Sequence, residues 1–325
     1  MKNRFKYLSP FFFLCISALF CYFAFKEVKY EDLKLLLKPI PKGWILLSML
    51  FGYLAYIFRG LRWVLLIEPL GYKPKKSILI HAISFGYLFN AVIPRSGELI
   101  RCTALNKVTS IPISKLFGHV ILERLIDVVL LLFCVLIAFF LNYQEFLNFF
   151  QKIQEKSSMD IYAYIPLVIL IFIFLYIFRH LFLNASHLEK ITSFFAGIKI
   201  GFISIKEIQN KFLFFLYTIL IWVCYFLMTV VCFYCFSETK NLNLGHGVFI
   251  LIAGAFGMII PSQAGLGSYH WCVKTALLAL PFSIPDTVAI GFAHVVWCSQ
   301  MFMIVITGLI GWRVFHQHAQ NKNDE

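Results

Sequence analysis

In the stretch FNAVIPRSGELIR, an apolar run gives way to Pro94 and then to Arg95, Ser96, Gly97, Glu98 and Arg101. A little further on, KLFGHVILERLIDVVLLL places Lys115, His119, Glu123 and Asp127 at every fourth position, which puts them on one face of a helix. Arg124 follows Glu123 directly and lies three residues before Asp127. A guanidinium grips phosphate through two parallel hydrogen bonds and keeps its charge when buried. Gly97 lets backbone N–H groups approach an anion, and a helix beginning after Pro94 aims its positive end at the same place. Phosphate binding by arginine is thus the chemistry these residue types offer, with Glu98, Glu123 and Asp127 balancing charge and relaying protons.

A later stretch, PSQAGLGSYHW, is polar with less charge: Ser262, Gln263, Ser268, Tyr269 and His270. Gly265 and Gly267 permit tight backbone there. His270 either titrates near neutral pH or serves packing. His119 and Glu123 form an i,i+4 pair, but no third ligand is identifiable, so no metal site is expected. No activated nucleophile, cofactor motif or nucleotide-binding G-x-x-x-x-G-K-[ST] appears, and no catalytic residue is assigned. Cys232-x-x-Cys235 has redox spacing, but it sits near the end of an apolar run, which favours a packing role.

These groups must be held in lipid. The chain is 60% apolar and 14% charged, with 37 phenylalanines among 325 residues, against about 25% charged in a soluble domain. Apolar runs that reach about 20 residues predict an all-α, polytopic membrane protein. The predicted spans are 8–25, 44–67, 117–141, 161–178, 212–236 and 287–312. The first has a basic flank but no small-x-small cleavage site after it, so it reads as a retained helix. The apolar segments 78–93 and 248–260 are too short to span and end at Pro94 and Pro261, which predicts two re-entrant or broken helices.

The net charge of +13 fits membrane topology and anionic lipid better than nucleic acid. Lys and Arg are dense at 1–7, 59–77, 95–115 and 179–211, placing those connections and both termini on the cytoplasmic side of a bacterial inner membrane. The lysines of 26–42 fall on the opposite side and break that rule. Segment 179–211 reads as a basic amphipathic helix on the inner leaflet, joining a first half, 1–178, to a second, 212–314, within a single membrane domain.

The halves carry related stretches. Phe85-Gly86 leads to Ile93-Pro94 and Gly97; Phe256-Gly257 leads to Ile260-Pro261, Gly265 and Gly267. The spacing from Phe-Gly to proline differs. Three spans separate the segments, so they enter from opposite sides, as in an inverted-repeat transporter whose substrate binds against broken helices near the midplane.

A charge at a helix centre costs about 2.5–3.5 kcal/mol on insertion scales. The two charged stretches should therefore face inward and pair: Arg95 and Arg101 with Glu123 and Asp127, and Glu98 with Arg124. Buried ion pairs add little net stability, whereas intramembrane charge is functional by default. Substrate or proton handling and a structural clasp both remain open.

With IPRSGELIR, VILERLIDVVLLL and IIPSQAGLGSYH in view, nearly the whole chain resembles the flippase-like membrane domain of lysylphosphatidylglycerol synthases, also found as stand-alone membrane proteins. The resemblance implies movement of a lipid with a charged or sugar-bearing headgroup between leaflets. It maps motif residues onto Pro94, Arg95, Gly97, Glu98, Arg101, Glu123, Arg124 and Asp127. It departs at Ala264, where the family often has glycine, and at His270, where it has glutamate. The chain ends in the polar tail RVFHQHAQNKNDE where the synthases continue into an aminoacyl-transferase domain, so it is not expected to make an aminoacylated lipid by itself.

The expected function is a lipid flippase or translocase. Its candidate partner is an anionic or aminoacylated phospholipid or a polyprenyl-phosphate-linked lipid, and a homo-oligomer is allowed. The rival readings are a membrane-embedded transferase acting on a lipid phosphate, with Glu123 or Asp127 as base, and an accessory scaffold for an envelope enzyme.

Overall fold

The computed structural model describes residues 18–25, 29–156, 196, 199 and 203–323. Among the described residues the regular structure is entirely helical. Helix α1 covers 18–25. It is followed by α2 (Tyr30–Leu37), α3 (Lys42–Ile67), α4 (Lys76–Val92), α5 (Gly97–Thr109), α6 (Ile113–Leu141) and α7 (Tyr143–Lys156). The second part comprises α8 (Lys211–Val230), α9 (Leu244–Ile259), α10 (Ser268–Ala279) and α11 (Asp286–Asn323). The predicted span 161–178 and most of 179–211 lie outside the described residues, as does the start of the span 8–25.

Four described segments are long and apolar enough to cross a bilayer: Lys42–Leu70, Ile113–Leu141, Lys211–Cys235 and Asp286–Gln317. They correspond to the four other predicted spans, and the chain is an all-α, multi-pass membrane protein. Helix α6 shows why its outer face meets lipid: Val129, Leu132, Phe133, Leu136 and Phe140 are all exposed, a cost in water and none in hydrocarbon. Helices α4 and α9 have 17 and 16 residues. At 1.5 Å per residue each is about 25 Å long, short of a bilayer core of about 30 Å.

Both short helices stop for the same reason. Proline crowds the residue before it out of the helical region. Ile93 stands at φ −125°, ψ 111° ahead of Pro94, and Ile260 at φ −59°, ψ 130° ahead of Pro261. After each break the chain doubles back, and α4 packs on α5 as α9 packs on α10. A Cβ on Gly97 would lie 2.0 Å from the carbonyl oxygen of Gly86, and one on Gly257 would lie 2.6 Å from Cα of Tyr269. Ser268 Oγ also donates to the Gly257 carbonyl at 2.7 Å. The same interval of eleven residues separates Gly86 from Gly97 and Gly257 from Ser268. The glycine crossing, not the proline, therefore brings the two stretches into register. This accounts for the unequal Phe-Gly to proline spacing.

Helices α3 to α6 thus run long, short, break, short, long, and α8 to α11 run in the same order. These two sets of four helices pack by exchange: α3 lies against α8, while α4 of the first set packs on α11 of the second and α9 of the second packs on α6 of the first. This interlocking carries the hairpin tips, residues 93–96 and 260–267, to one place. Segment Gln263–Gly265 touches α4 directly.

Candidate functional site

Helix α6 brings its acids into the protein because Glu123 and Asp127 share the face turned toward α3 and α5. Glu123 is fully buried. Its Oε2 accepts from Arg101 Nη2 at 2.7 Å, and the Arg101 guanidinium lies over the Trp63 ring, 4.6 Å from its centroid. Asp127 sits between two arginines of α3. Arg59 Nη1 donates to its Oδ2 at 3.1 Å, and Arg62 Nη2 reaches its Oδ1 at 3.4 Å. Arg59 also stands 4.0 Å from Glu123, so one guanidinium separates two carboxylates a helical turn apart and offsets their repulsion. Helix α8 adds neutral partners: Tyr225 Oη accepts from Arg59 at 3.2 Å and Thr218 Oγ1 from Arg62 at 3.4 Å. Arg124 completes the network, 3.5 Å from Glu98 and 3.7 Å from Asp127, with 44% of its side chain exposed.

By sequence Arg59 and Arg62 count with the basic connection 59–77, yet both are buried within α3. Their three-residue spacing, FRGLR inside an otherwise apolar helix, is the sequence signal that marks them as inward-facing. They take the place expected for Arg95. That residue does not pair with Glu123 or Asp127. It occupies the left-handed region at φ 62°, which turns its side chain toward the other hairpin, where Nη2 donates to the Ile259 carbonyl at 3.1 Å.

The break residues have different duties from those expected. The Gly97 N–H donates to Asn90 Oδ1 at 2.7 Å, so that amide is occupied and the glycine serves the close crossing with Gly86. Ser96 Oγ turns back to the Ile93 carbonyl at 2.8 Å. At the other tip, Gly265 and Gly267 have φ of 72° and 80°, the left-handed backbone that glycine adopts without strain. The tip is pinned by Trp297 Nε1, which donates to the Ala264 carbonyl at 2.9 Å.

A cavity of about 900 Å³ opens where the tips meet. Arg95, Glu98 and Arg124 are its charged wall; Pro94, Pro261, Ala264 and Gly265 come from the breaks, and Phe117, Ile121, Leu125, Val128 and Met258 make most of the rest apolar. Arg101, Glu123 and Asp127 stand behind this wall rather than in it. Together the exposed guanidiniums and the apolar lining match a molecule with an anionic end and a hydrocarbon end. It is also a membrane domain of known kind, for residues 11–308 match the family described as the lysylphosphatidylglycerol synthase TM region.

The chain belongs to the lysylphosphatidylglycerol synthase TM-region family. A UPF0104 membrane protein of Methanocaldococcus jannaschii is 27% identical over 124 residues, which is 37% of this chain and 35% of that protein. The match therefore spans about a third of that relative's length. No solved structure matches this chain. Within this member of the TM-region family, His270 lies apart from the cavity. It is fully buried at the start of α10, ringed by Phe25, His294 and Trp297 at centroid distances of 5.6, 5.6 and 5.4 Å. Among the described residues no group of three or more His, Cys, Asp or Glu is placed to hold a metal ion.

Proposed function

We propose that this chain is a lipid translocase that admits a phosphate-bearing headgroup between its two hairpin tips and passes the lipid from one leaflet to the other. The observation that carries this reading is the cavity itself, in which Arg95 and Arg124, with Glu98 beside them, face a mostly apolar space. An arginine pair suits a phosphate, and the apolar wall suits the acyl or prenyl chains attached to it.

In this reading the hairpins α4–α5 and α9–α10 are re-entrant and enter from opposite faces of a bacterial inner membrane, with both termini in the cytoplasm. Non-helical backbone at membrane depth is tolerated where it lines a cavity, which is where the breaks at Pro94 and Pro261 lie. Headgroup movement then requires the two tips to part alternately toward each side. The buried pairs around Glu123 and Asp127 are the rigid frame, while Arg124, Glu98 and Arg95 are the moving contact surface.

The test uses the full chain in vesicles with a headgroup-labelled anionic phospholipid and a membrane-impermeant quencher. Label in the inner leaflet should become quenchable with the protein present and stay protected with Arg124→Gln at equal incorporation. Equal protection with and without the wild-type protein, across anionic phospholipids and polyprenyl phosphates, sinks the translocase reading.

A further inference from the structure

Helix α7 starts two residues after α6 ends, and Asn142 at φ −138°, ψ 48° breaks the helical path between them. With 29 residues, α6 is about 43 Å long, more than the roughly 30 Å of a hydrocarbon core, so it ends in the headgroup region. From there α7 crosses the feet of the second hairpin. It packs on α10, and Phe146 and Phe149 meet Phe249 in the second turn of α9 at centroid distances of 5.0 and 6.0 Å. Asn148 Nδ2 donates to the Ala279 carbonyl at 3.3 Å, and Lys152 Nζ donates to the Leu278 carbonyl. These are among the last carbonyls of α10, which lack partners in their own helix, and they form the negative end of its dipole, which suits a lysine. Asn142 Nδ2 donates to the Gly245 carbonyl at the start of α9 at 3.1 Å. One short helix therefore holds both feet of hairpin α9–α10.

The rest of α7 is divided between apolar and polar arcs. Phe146 and Phe149 are buried, whereas Tyr143, Leu147 and Phe150, spaced four and three residues apart, are 49, 40 and 61% exposed. That spacing puts the exposed three on one side of the helix. Gln144 and Gln151 are exposed on the arc beyond them. The exposed apolar side continues the lipid face of α6: the Tyr143 ring meets Phe139 edge-on at 5.2 Å, and the neighbouring Phe140 is 80% exposed. A glutamine arc is unsuited to hydrocarbon, and an apolar stripe joined to a lipid-facing helix is unsuited to water. The boundary between headgroups and acyl chains satisfies both, and amphipathic helices sink their apolar face about 5–10 Å into it. We infer that Tyr143, Leu147 and Phe150 dock in the headgroup–acyl boundary of the leaflet where α6 ends, and that α7 is the strut tying the feet of hairpin α9–α10 to that boundary. Movement of the hairpin is then confined to its tip, residues 260–267. The inference does not depend on what the cavity binds.

The docking is tested with photoreactive benzoylphenylalanine placed in turn at Leu147, Phe150, Gln144 and Gln151 of the full chain, in the membranes of the cells that express it. After illumination, adducts are read by mass spectrometry. Leu147 and Phe150 should give lipid adducts about tenfold more often than Gln144 and Gln151. Adducts to protein at Leu147 and Phe150, whether a second copy or another part of this chain, overturn the lipid assignment. Equal lipid adducts at all four positions overturn the in-plane orientation. The strut is tested by hydrogen exchange in vesicles. Leu147→Glu combined with Phe150→Glu changes only exposed positions, and it should speed exchange about fivefold at the end of α10 and the start of α9, with α3 and α8 unchanged. Lys152→Met should have the same effect at the end of α10 while the lipid adducts at Phe150 persist. Unchanged exchange at the feet in both variants, or uniform acceleration throughout the chain, overturns the strut.

Discussion

Arg95 Nη2 donates to the carbonyl of Ile259, 164 residues away, at 3.1 Å. The relation is reciprocal, because Gln263 Nε2 donates to the carbonyl of Val92 at 3.2 Å. Val92 and Ile259 are the last residues of α4 and α9, where backbone carbonyls lack partners within their own helix. Each hairpin tip thus caps the short helix of the other. Arg95 and Ala264, at φ 62° and 51°, hold left-handed backbone that costs roughly 1–2 kcal/mol for a residue with a side chain. Strain and mutual capping coincide where the cavity opens, and in the proposed translocase reading this seam is where the two tips would part.

Gln263→Leu should therefore loosen the seam without unfolding the protein. One neutral hydrogen bond contributes about 0.5–1.5 kcal/mol. Amide hydrogen exchange at the two tips should speed up severalfold, with the cores of α3 and α8 unchanged. Uniform acceleration throughout the chain would show that the bond supports global stability instead.

Glu123→Gln should be far more damaging, because it leaves Arg101 and Arg59 buried beside a neutral group. Removing one partner of a buried pair costs about 3–5 kcal/mol. Thermal unfolding in detergent should fall steeply. Pairing Arg101→Leu with Glu123→Leu should recover much of the loss, since it removes both charges. A double variant as unstable as the sum of the singles would argue against direct coupling.

Asp127→Asn and Glu98→Gln should differ in the same assay. Asp127 faces Arg59, Arg62 and Arg124, so its loss frees several cations inside the helix bundle. Glu98 holds only the half-exposed Arg124, and a pair of that kind contributes about 1 kcal/mol or less. Glu98→Gln should unfold near the wild-type temperature. Equal losses for the two would mean that Arg124 is tied in as tightly as Arg59.

Gly97→Ala should prevent the first hairpin from closing, since its Cβ would lie 2.0 Å from the Gly86 carbonyl oxygen. Gly43 has nothing within 4 Å of an added Cβ. Gly43→Ala near the start of α3 should be neutral or stabilise by up to about 1 kcal/mol through helix propensity. Yield of monodisperse protein in detergent, compared between the two variants, checks the contrast.

Much of this protein follows from composition and local pattern. Apolar runs long enough to cross a bilayer identify α3, α6, α8 and α11, because lipid requires each backbone group to be satisfied within its own helix. Prolines after short apolar runs mark the ends of α4 and α9 for an equally local steric reason. The four-residue spacing of Glu123 and Asp127 places them on one inward face whatever surrounds them.

Partner choice was not local. The pairing of Arg101 with Glu123 and of Arg124 with Glu98 could be read from nearby charged stretches. Two of the three partners of Asp127 could not, because Arg59 and Arg62 lie 68 and 65 residues earlier in the chain and resemble topology signals when counted as loop charge. The left-handed turn at Arg95 likewise sent that side chain across to Ile259, a target set by how the hairpins interlock. Sequence by itself determined the apolar helices, the two breaks and the inward face of Glu123 and Asp127, since these depend on a few neighbouring residues. Only the tertiary structure decided which charges meet and which face the cavity, since that depends on the exchange packing of α4 with α11 and α9 with α6.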